Sequence, residues 1–323
     1  MAIVSNQRVL TLELWKLASE LKVGDWVFNS DGKPVKIKLV QHFVSQDCYK
    51  VLFDDHLTVC GDNHLALRLE TQKYRNRLHT YKGVNKFRRP LKQFSVLEAQ
   101  EWKDRLSLPT TKPISFPHQP LAVPPFIFGF WFFNRRYNQT MIPPPGMSEF
   151  VHQKFKDAGY RVTTHRKMKT GEYEFRCHPS IESQFFASIP RNIPNNYLFC
   201  NAEQRIELLS GIVHGKSRQY RPDNDWFVFT TRNYAHSGQV RFIIESLGSK
   251  THTKEHNQDK RREMFYQSRI RLIENQVSKP IKIQYGRRYI QQITPIAPQS
   301  CVHIEIDDAN NTMLVGEGFI SVC

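Results

Sequence analysis

The chain has 323 residues, 40% hydrophobic and 12% aromatic, enough for two or three domains with real cores. Its 46 Lys and Arg against 30 Asp and Glu give a net charge of +16, which favours a polyanionic partner and nucleic acid above all. No apolar run approaches the roughly 20 residues of a membrane span, and Met1–Gln7 lacks the basic and apolar regions of a secretory signal. The six cysteines (Cys48, Cys60, Cys177, Cys200, Cys301, Cys323) form no CxxC pair. That argues against a zinc site or disulfide framework and for an intracellular, reducing compartment without secretion or membrane insertion.

The stretch up to about Arg89 reads as β-rich. Val35–Leu39 alternates with period two after the Asp31-Gly32 turn signal, and Tyr49–Phe53 and Leu57–Val59 are further strands around Asp54-Asp55. Between Lys73 and Lys92 there is no acidic residue, and basic side chains interleave with Tyr74, His79, Tyr81 and Phe87. That segment suits phosphate and base contacts and equally a solvated loop. Residues 93–110 are expected to be helical, capped by Ser95. Pro113, Pro117, Pro120, Pro124 and Pro125 then mark a linker, because proline resists helix interiors and central strands.

A helix is predicted from Phe126, and from there to about Lys282 helical and extended segments alternate. Tyr160–Thr163 and Tyr173–Arg176 are expected strands joined through Thr170-Gly171. Trp226–Thr231 is a further strand and Gln239–Leu247 a helix. Lys254–Arg271, with Lys260-Arg261-Arg262 and Arg269, reads either as part of a basic patch or as a solvated helix face. From Lys282 the chain is β-like again, through Ile283–Tyr285 and Val302–Ile306. The order predicts an α+β protein in which a central α+β domain (111–281) interrupts a split all-β domain (1–110 and 282–323).

Both outer segments resemble the Hint fold of inteins. Leu21-Lys22-Val23-Gly24-Asp25-Trp26-Val27 is similar to that family's LKVGDxV signature. Phe53–His56 followed by Cys60-Gly61-Asp62-Asn63-His64-Leu65 resembles its histidine block, and Leu314–Ile320 resembles its penultimate strand. Splicing needs a nucleophilic Cys or Ser at the first position, a histidine that activates the peptide bond, and a terminal Asn that cyclises. The family spacing puts the nucleophile slot at Ala2, which has no heteroatom. His64 is retained, but Ser321-Val322-Cys323 replaces the terminal His-Asn pair. The resemblance therefore implies a chain that does not splice, and Met1 implies translation without flanking host segments. His64 is expected to be a relic that packs and hydrogen-bonds in the core. Cys60 and Cys301 are expected to be buried small residues rather than reactive thiols.

The middle resembles a two-repeat LAGLIDADG homing endonuclease. The carriers are Pro124–Asn134 and Arg205–Lys216, the Ile189–Leu198 lead-in, and Phe242–Gly248. In that family each of two helices ends in an acid that holds a shared metal. Asn134 and Lys216 stand in those places, changing local charge from about −2 to +1, which repels Mg²⁺ and suits a phosphate. No catalytic residue, metal or cofactor is expected. Nucleic acid, DNA or RNA, is the expected partner, held by Arg161, Arg166, Lys167, Lys169, Arg176, Arg218, Arg221 and Arg232. Two alternatives stand beside a non-cutting, non-splicing nucleic-acid binder. One is an active Mg²⁺-dependent endonuclease with displaced acids such as Glu149 or Asp223. The other is a structural or assembly subunit of a large nucleoprotein complex, such as a virus particle, polymerase or ribosome.

Overall fold

The computed structural model describes residues 2–13, 15–71, 91–135, 140–144, 146–167, 173–184, 190–215, 226–258, 263–271 and 286–323. The chain divides into two compact units, one built from Met1–Ser115 and Tyr285–Cys323, the other from Phe116–Gln284. It is a mixed α+β protein with one large antiparallel sheet. Among the described residues no helix is long and apolar enough to cross a membrane.

In the β unit the elements run β1 (Ala2–Val4), β2 (Arg8–Leu10), β3 (Trp15–Leu17), β4 (Trp26–Phe28), β5 (Pro34–Phe53), β6 (Thr58–Asp62) and β7 (Ala66–Thr71). Then come β8 (Lys92–Ser95), α1 (Val96–Trp102) and β9 (Leu106–Pro109). Residues 93–110 therefore do not form one helix. Ser95 does cap α1, accepting the Glu98 N–H while the Glu98 carboxylate accepts the Ser95 N–H at 2.8 Å. The helix stops after two turns because Leu106-Ser107-Leu108 turns inward as a fully buried strand that pairs with β7.

The central unit follows with α2 (Pro125–Asn134), α3 (Ser148–Asp157), β10 (Arg161–Lys167), β11 (Tyr173–His178), α4 (Asn195–Leu198) and α5 (Ala202–Gly215). It continues with β12 (Trp226–Thr231), α6 (Tyr234–Ser246), β13 (His252–Gln258) and β14 (Glu263–Arg271). The chain then re-enters the β unit through β15 (Arg287–Ile306), β16 (Met313–Val315) and β17 (Ile320–Val322). Leu314–Ile320, expected as one strand, is a hairpin whose turn uses Gly316 at φ 69° and Phe319 at φ 52°.

Strands from before and after the central unit interleave throughout the large sheet. β15 pairs with β1, β5 and β9, β16 with β2, and β17 with β7. Neither part has a complete core alone, since Ile3, Val51, Phe53 and Val59 pack with Ile290, Val302, Ile304 and Ile320. A buried ion pair adds to the seam. Arg288 Nε meets Asp55 Oδ2 at 2.7 Å with both side chains 1% exposed. The proline-marked linker is irregular but docked at its start. Ser115 N–H bonds the Gly32 carbonyl at 2.7 Å, and Gly32 (φ 73°) lets Pro113 approach where any Cβ would overlap its carbonyl oxygen.

The central unit contains a structural repeat. Helix α2 leads to Met141, which bridges Phe175 of β11; α3 follows, then the β10–β11 hairpin. Helix α5 leads to β12, then α6, then β13 and β14, and β12 pairs with β14. The first half is thus helix–bridge–helix–strand–strand and the second helix–strand–helix–strand–strand, with Met141 beside β11 and β12 beside β14. Lys254–Arg271 is consequently a pair of strands, and the helix-face reading is overturned. β14 is hydrogen-bonded on both sides, by β12 and β13. Helix α2 is buried all round at Phe126–Phe132, as an apolar helix without a polar face must be. Burying each such ring stabilises the unit by about 1.5–3 kcal/mol.

Candidate functional site

Helices α2 and α5 meet through glycines. A Cβ on Gly129 would overlap the Leu208 carbonyl oxygen, and one on Gly211 the Phe126 carbonyl oxygen. Gly215 faces the Phe130 carbonyl. Only hydrogen at these positions lets the two backbones touch, so the helix ends converge.

Asn134 closes that convergence. Its Nδ2 donates to the Ile142 carbonyl at 2.8 Å and to the Gly215 carbonyl, at the end of α5, at 3.1 Å. Its Oδ1 accepts the Ile142 N–H at 2.8 Å. All three bonds suit an amide, and a carboxylate could make only the last. Among the described residues Asn134 does not fit a divalent cation, since it turns N–H groups toward two carbonyls and offers no negative charge. Lys216 lies outside the described residues. Next to the pin, Arg135 stacks over the Trp131 ring at 4.5 Å, and its Nη1 is buried without a hydrogen-bond partner among the described residues. Burial lowers the Arg135 pKa, with Glu182 opposing. His214 is buried between Phe126 and Phe150, its Nδ1 2.6 Å from the Ser210 carbonyl, which fixes a proton on that nitrogen.

Of the expected phosphate-binding residues, Arg161 and Arg232 are exposed and Arg176 half-buried, with its Nε lacking a hydrogen-bond partner among the described residues. Arg161 pairs with His178 and Thr163 with Arg176, so Arg161 and Arg176 share a face of the β10–β11 hairpin. The backbones of Arg166 and Lys167 continue that strand, opposite Glu174 and Tyr173. Arg232 sits after β12, on the second sheet. Lys169, Arg218, Arg221 and Asp223 lie outside the described residues, as does most of the basic 73–92 segment. Glu149 is exposed in the first turn of α3.

In the β unit, Ala2 and Cys323 flank one turn. The Ala2 carbonyl abuts Gly61, and Cys323 exchanges backbone hydrogen bonds of 2.9 and 3.1 Å with Ala66. Between them, Leu65 N–H bonds the Asp62 carbonyl and His64 N–H bonds Asp62 Oδ1 at 2.9 Å. Leu65 takes the inward position and the His64 side chain is exposed. The expected core packing of His64 is thereby overturned, because the Asp62 turn directs residues 63 and 64 to solvent. Cys323 is buried; burial pushes its thiol up to about 11, with Arg68 opposing, so it is held as a neutral, weakly nucleophilic thiol. Cys60, expected buried, is half-buried, and burial still raises its pKa.

A cleft of about 410 Å³ opens beside the β7–β9–β15 strands. Its carboxylates are already paired, Glu70 with Arg287 at 2.5 Å and Asp31 with Lys112 at 2.7 Å, which leaves Arg68 as its excess charge. Sequence reasoning missed Arg205, which is fully buried in α5. It bonds the Cys200 and Ser246 carbonyls at 3.0 Å each and the Ser246 hydroxyl, and lies over the Phe116 ring. Burial depresses its pKa to about 10, with Cys200 opposing. A lone arginine in an amphipathic helix gives no sequence signal of that role.

No family model matches the chain. It is 20% identical over 341 residues to the replicative DNA helicase DnaB of Mycobacterium intracellulare, covering 95% of this chain and 55% of the helicase. The chain thus spans about half the length of that curated relative. Among solved structures, it is similar to the MchDnaB-1 intein, at 22% identity over 21% of this chain and 52% of the intein, with a TM-score of 0.20. It is also similar to the gp41-1 intein, at 20% identity over 22% and 55% of the two chains, again with a TM-score of 0.20.

Proposed function

We propose that the chain is an intein-derived protein with a Hint-like β unit and a LAGLIDADG-like central unit, and that it neither splices nor cuts but binds nucleic acid. The observation that carries this reading is the paired repeat of the central unit, with two helices joined through Gly129 and Gly211 and pinned by Asn134 at the place an acid would occupy. The pin supports loss of cleavage, because the amide that ties α2 to α5 is a hydrogen-bond donor and cannot stand in for a metal-bound carboxylate. Ala2, with no heteroatom, supports loss of splicing.

Binding in this reading comes from phosphate contacts by the two sheets, with Arg161, Arg166, Lys167 and Arg176 on one and Arg232 beside the other. The test incubates the protein with supercoiled plasmid in Mg²⁺ or Mn²⁺, and separately places it between foreign flanking segments with added thiol. Unchanged plasmid and an unspliced chain are expected. A metal-dependent nick would favour the active-nuclease alternative, and a ligated flank product would end the reading of the β unit.

A further inference from the structure

Two cysteines far apart in sequence meet in the β unit. In the ladder between β5 and β15, Cys48 lies opposite Ile296 and Cys301 opposite Phe43. On a flat ribbon that offset of five residues would separate them by roughly 16 Å. Their Sγ atoms are instead 3.4 Å apart. The ribbon is bent: Ser45 takes φ 55°, and the register shifts between Ile296 and Gln299 and again between Gln299 and Cys301. The bend folds the two-stranded ribbon onto itself and brings the sulfurs together inside the corner. Both thiols are free and buried, at 1% and 0% exposure, beside Val4, Ile296 and the half-buried Cys60.

We propose that Cys48 and Cys301 form a reversible disulfide under peroxide, a covalent staple between the part of the β unit that precedes the central unit and the part that follows it. A disulfide sets its sulfurs about 2.05 Å apart, so closing the bond needs about 1.4 Å of approach, within reach of small side-chain rotations. In the first step one thiolate attacks hydrogen peroxide, the O–O bond breaks, and a sulfenic acid and hydroxide form; the hydroxide takes up the released proton as water. In the second, the other thiol attacks the sulfenic sulfur, the S–S bond forms, and a second water leaves. Two thiols and one peroxide thus give one disulfide and two waters, and a dithiol reductant reverses the change. Burial and the neighbouring Cys48 raise the Cys301 pKa, which keeps thiolate scarce.

The test uses the full chain, with and without hydrogen peroxide. Intact mass should fall by about two units per chain, and a non-reducing peptide map should return Cys48 linked to Cys301. Protease nicking inside the central unit should then give two fragments that stay together on a denaturing non-reducing gel and separate with dithiothreitol. The oxidised chain should also melt several degrees higher, and Cys48→Ala and Cys301→Ala should each lose the link. A Cys48–Cys60 link, an intermolecular link, mass gains from sulfinic or sulfonic acid without any link, or no reaction until the chain is unfolded would each overturn the proposal.

Discussion

Asn134→Asp is the most informative single substitution, because it places an acid at the end of α2 and removes the pin at the same time. The exchange keeps the oxygen that accepts the Ile142 N–H and replaces the amide nitrogen that donates to Ile142 and Gly215. Two donated bonds are lost, each worth about 1 kcal/mol, and two part-buried carbonyls then face a carboxylate oxygen. The expected cost at pH 7.5 is about 3–4 kcal/mol, which for a unit of this size lowers Tm by roughly 6–16 °C. The loss should depend on pH. When protonated, the introduced carboxyl can donate to one of the carbonyls, so its folded-state pKa is raised above the ordinary value of about 3.9. A raised carboxyl pKa contributes stability that is present below the unfolded pKa and lost as pH rises through the folded one. The variant should therefore stand nearest the parent at about pH 4 and fall away toward neutrality. Thermal melts of both proteins at pH 4.5, 6 and 7.5 measure this. A variant within about 1 kcal/mol of the parent at pH 7.5, or one that Mg²⁺ restores to parental stability, would refute the reasoning about the pin.

Gly211→Ala should destabilise by about 1–3 kcal/mol despite alanine's better helix propensity, because its methyl overlaps the Phe126 carbonyl. Gly238→Ala in α6, which meets open space, should instead stabilise by up to about 1 kcal/mol; paired urea melts give both signs. Asp55→Ala should cost about 3–5 kcal/mol by leaving Arg288 buried and unpaired, and adding Arg288→Met should recover most of it. Burial raises Cys177, Cys200 and Cys323 from 9.0 to about 11. Their neutral forms contribute stability that is full below pH 9 and lost as pH rises toward 11, so Tm should decline across that window. At pH 8 these thiols should react with a disulfide reagent far more slowly in the folded than in the unfolded chain.

Elements with strong local patterns were legible in the sequence. Trp226–Thr231 is strand β12 over those same residues, and the apolar run from Phe126 is α2. Failures came where tertiary pairing decides. β5 runs unbroken from Pro34 to Phe53, joining the expected Val35–Leu39 and Tyr49–Phe53 strands, with Gln46 paired to Gln299 of β15 at the ribbon corner. The helix expected over 93–110 lost its second half to pairing with β7 and β15, which no local periodicity records. The role of Asn134 as a pin was not legible, because Ile142 and Gly215 become its partners only when α2 and α5 touch. The Cys48–Cys301 contact depends on a bend that a flat register hides.

The central claim, a scaffold that holds nucleic acid through phosphates without cutting it, is tested most directly by the salt dependence of binding. Fluorescence anisotropy with duplex DNA, single-stranded DNA and RNA, across a range of salt in Mg²⁺, reads affinity while gels confirm the strands stay whole. If about five to eight of Arg161, Arg166, Lys167, Lys169, Arg176, Arg218, Arg221 and Arg232 engage duplex phosphates, log affinity should fall against log salt with a slope near −5 to −7. Arg161→Ala should shrink that slope by roughly one unit and weaken all sequences alike. No binding to any of the three nucleic acids at low salt would contradict the account and leave the structural-subunit reading standing.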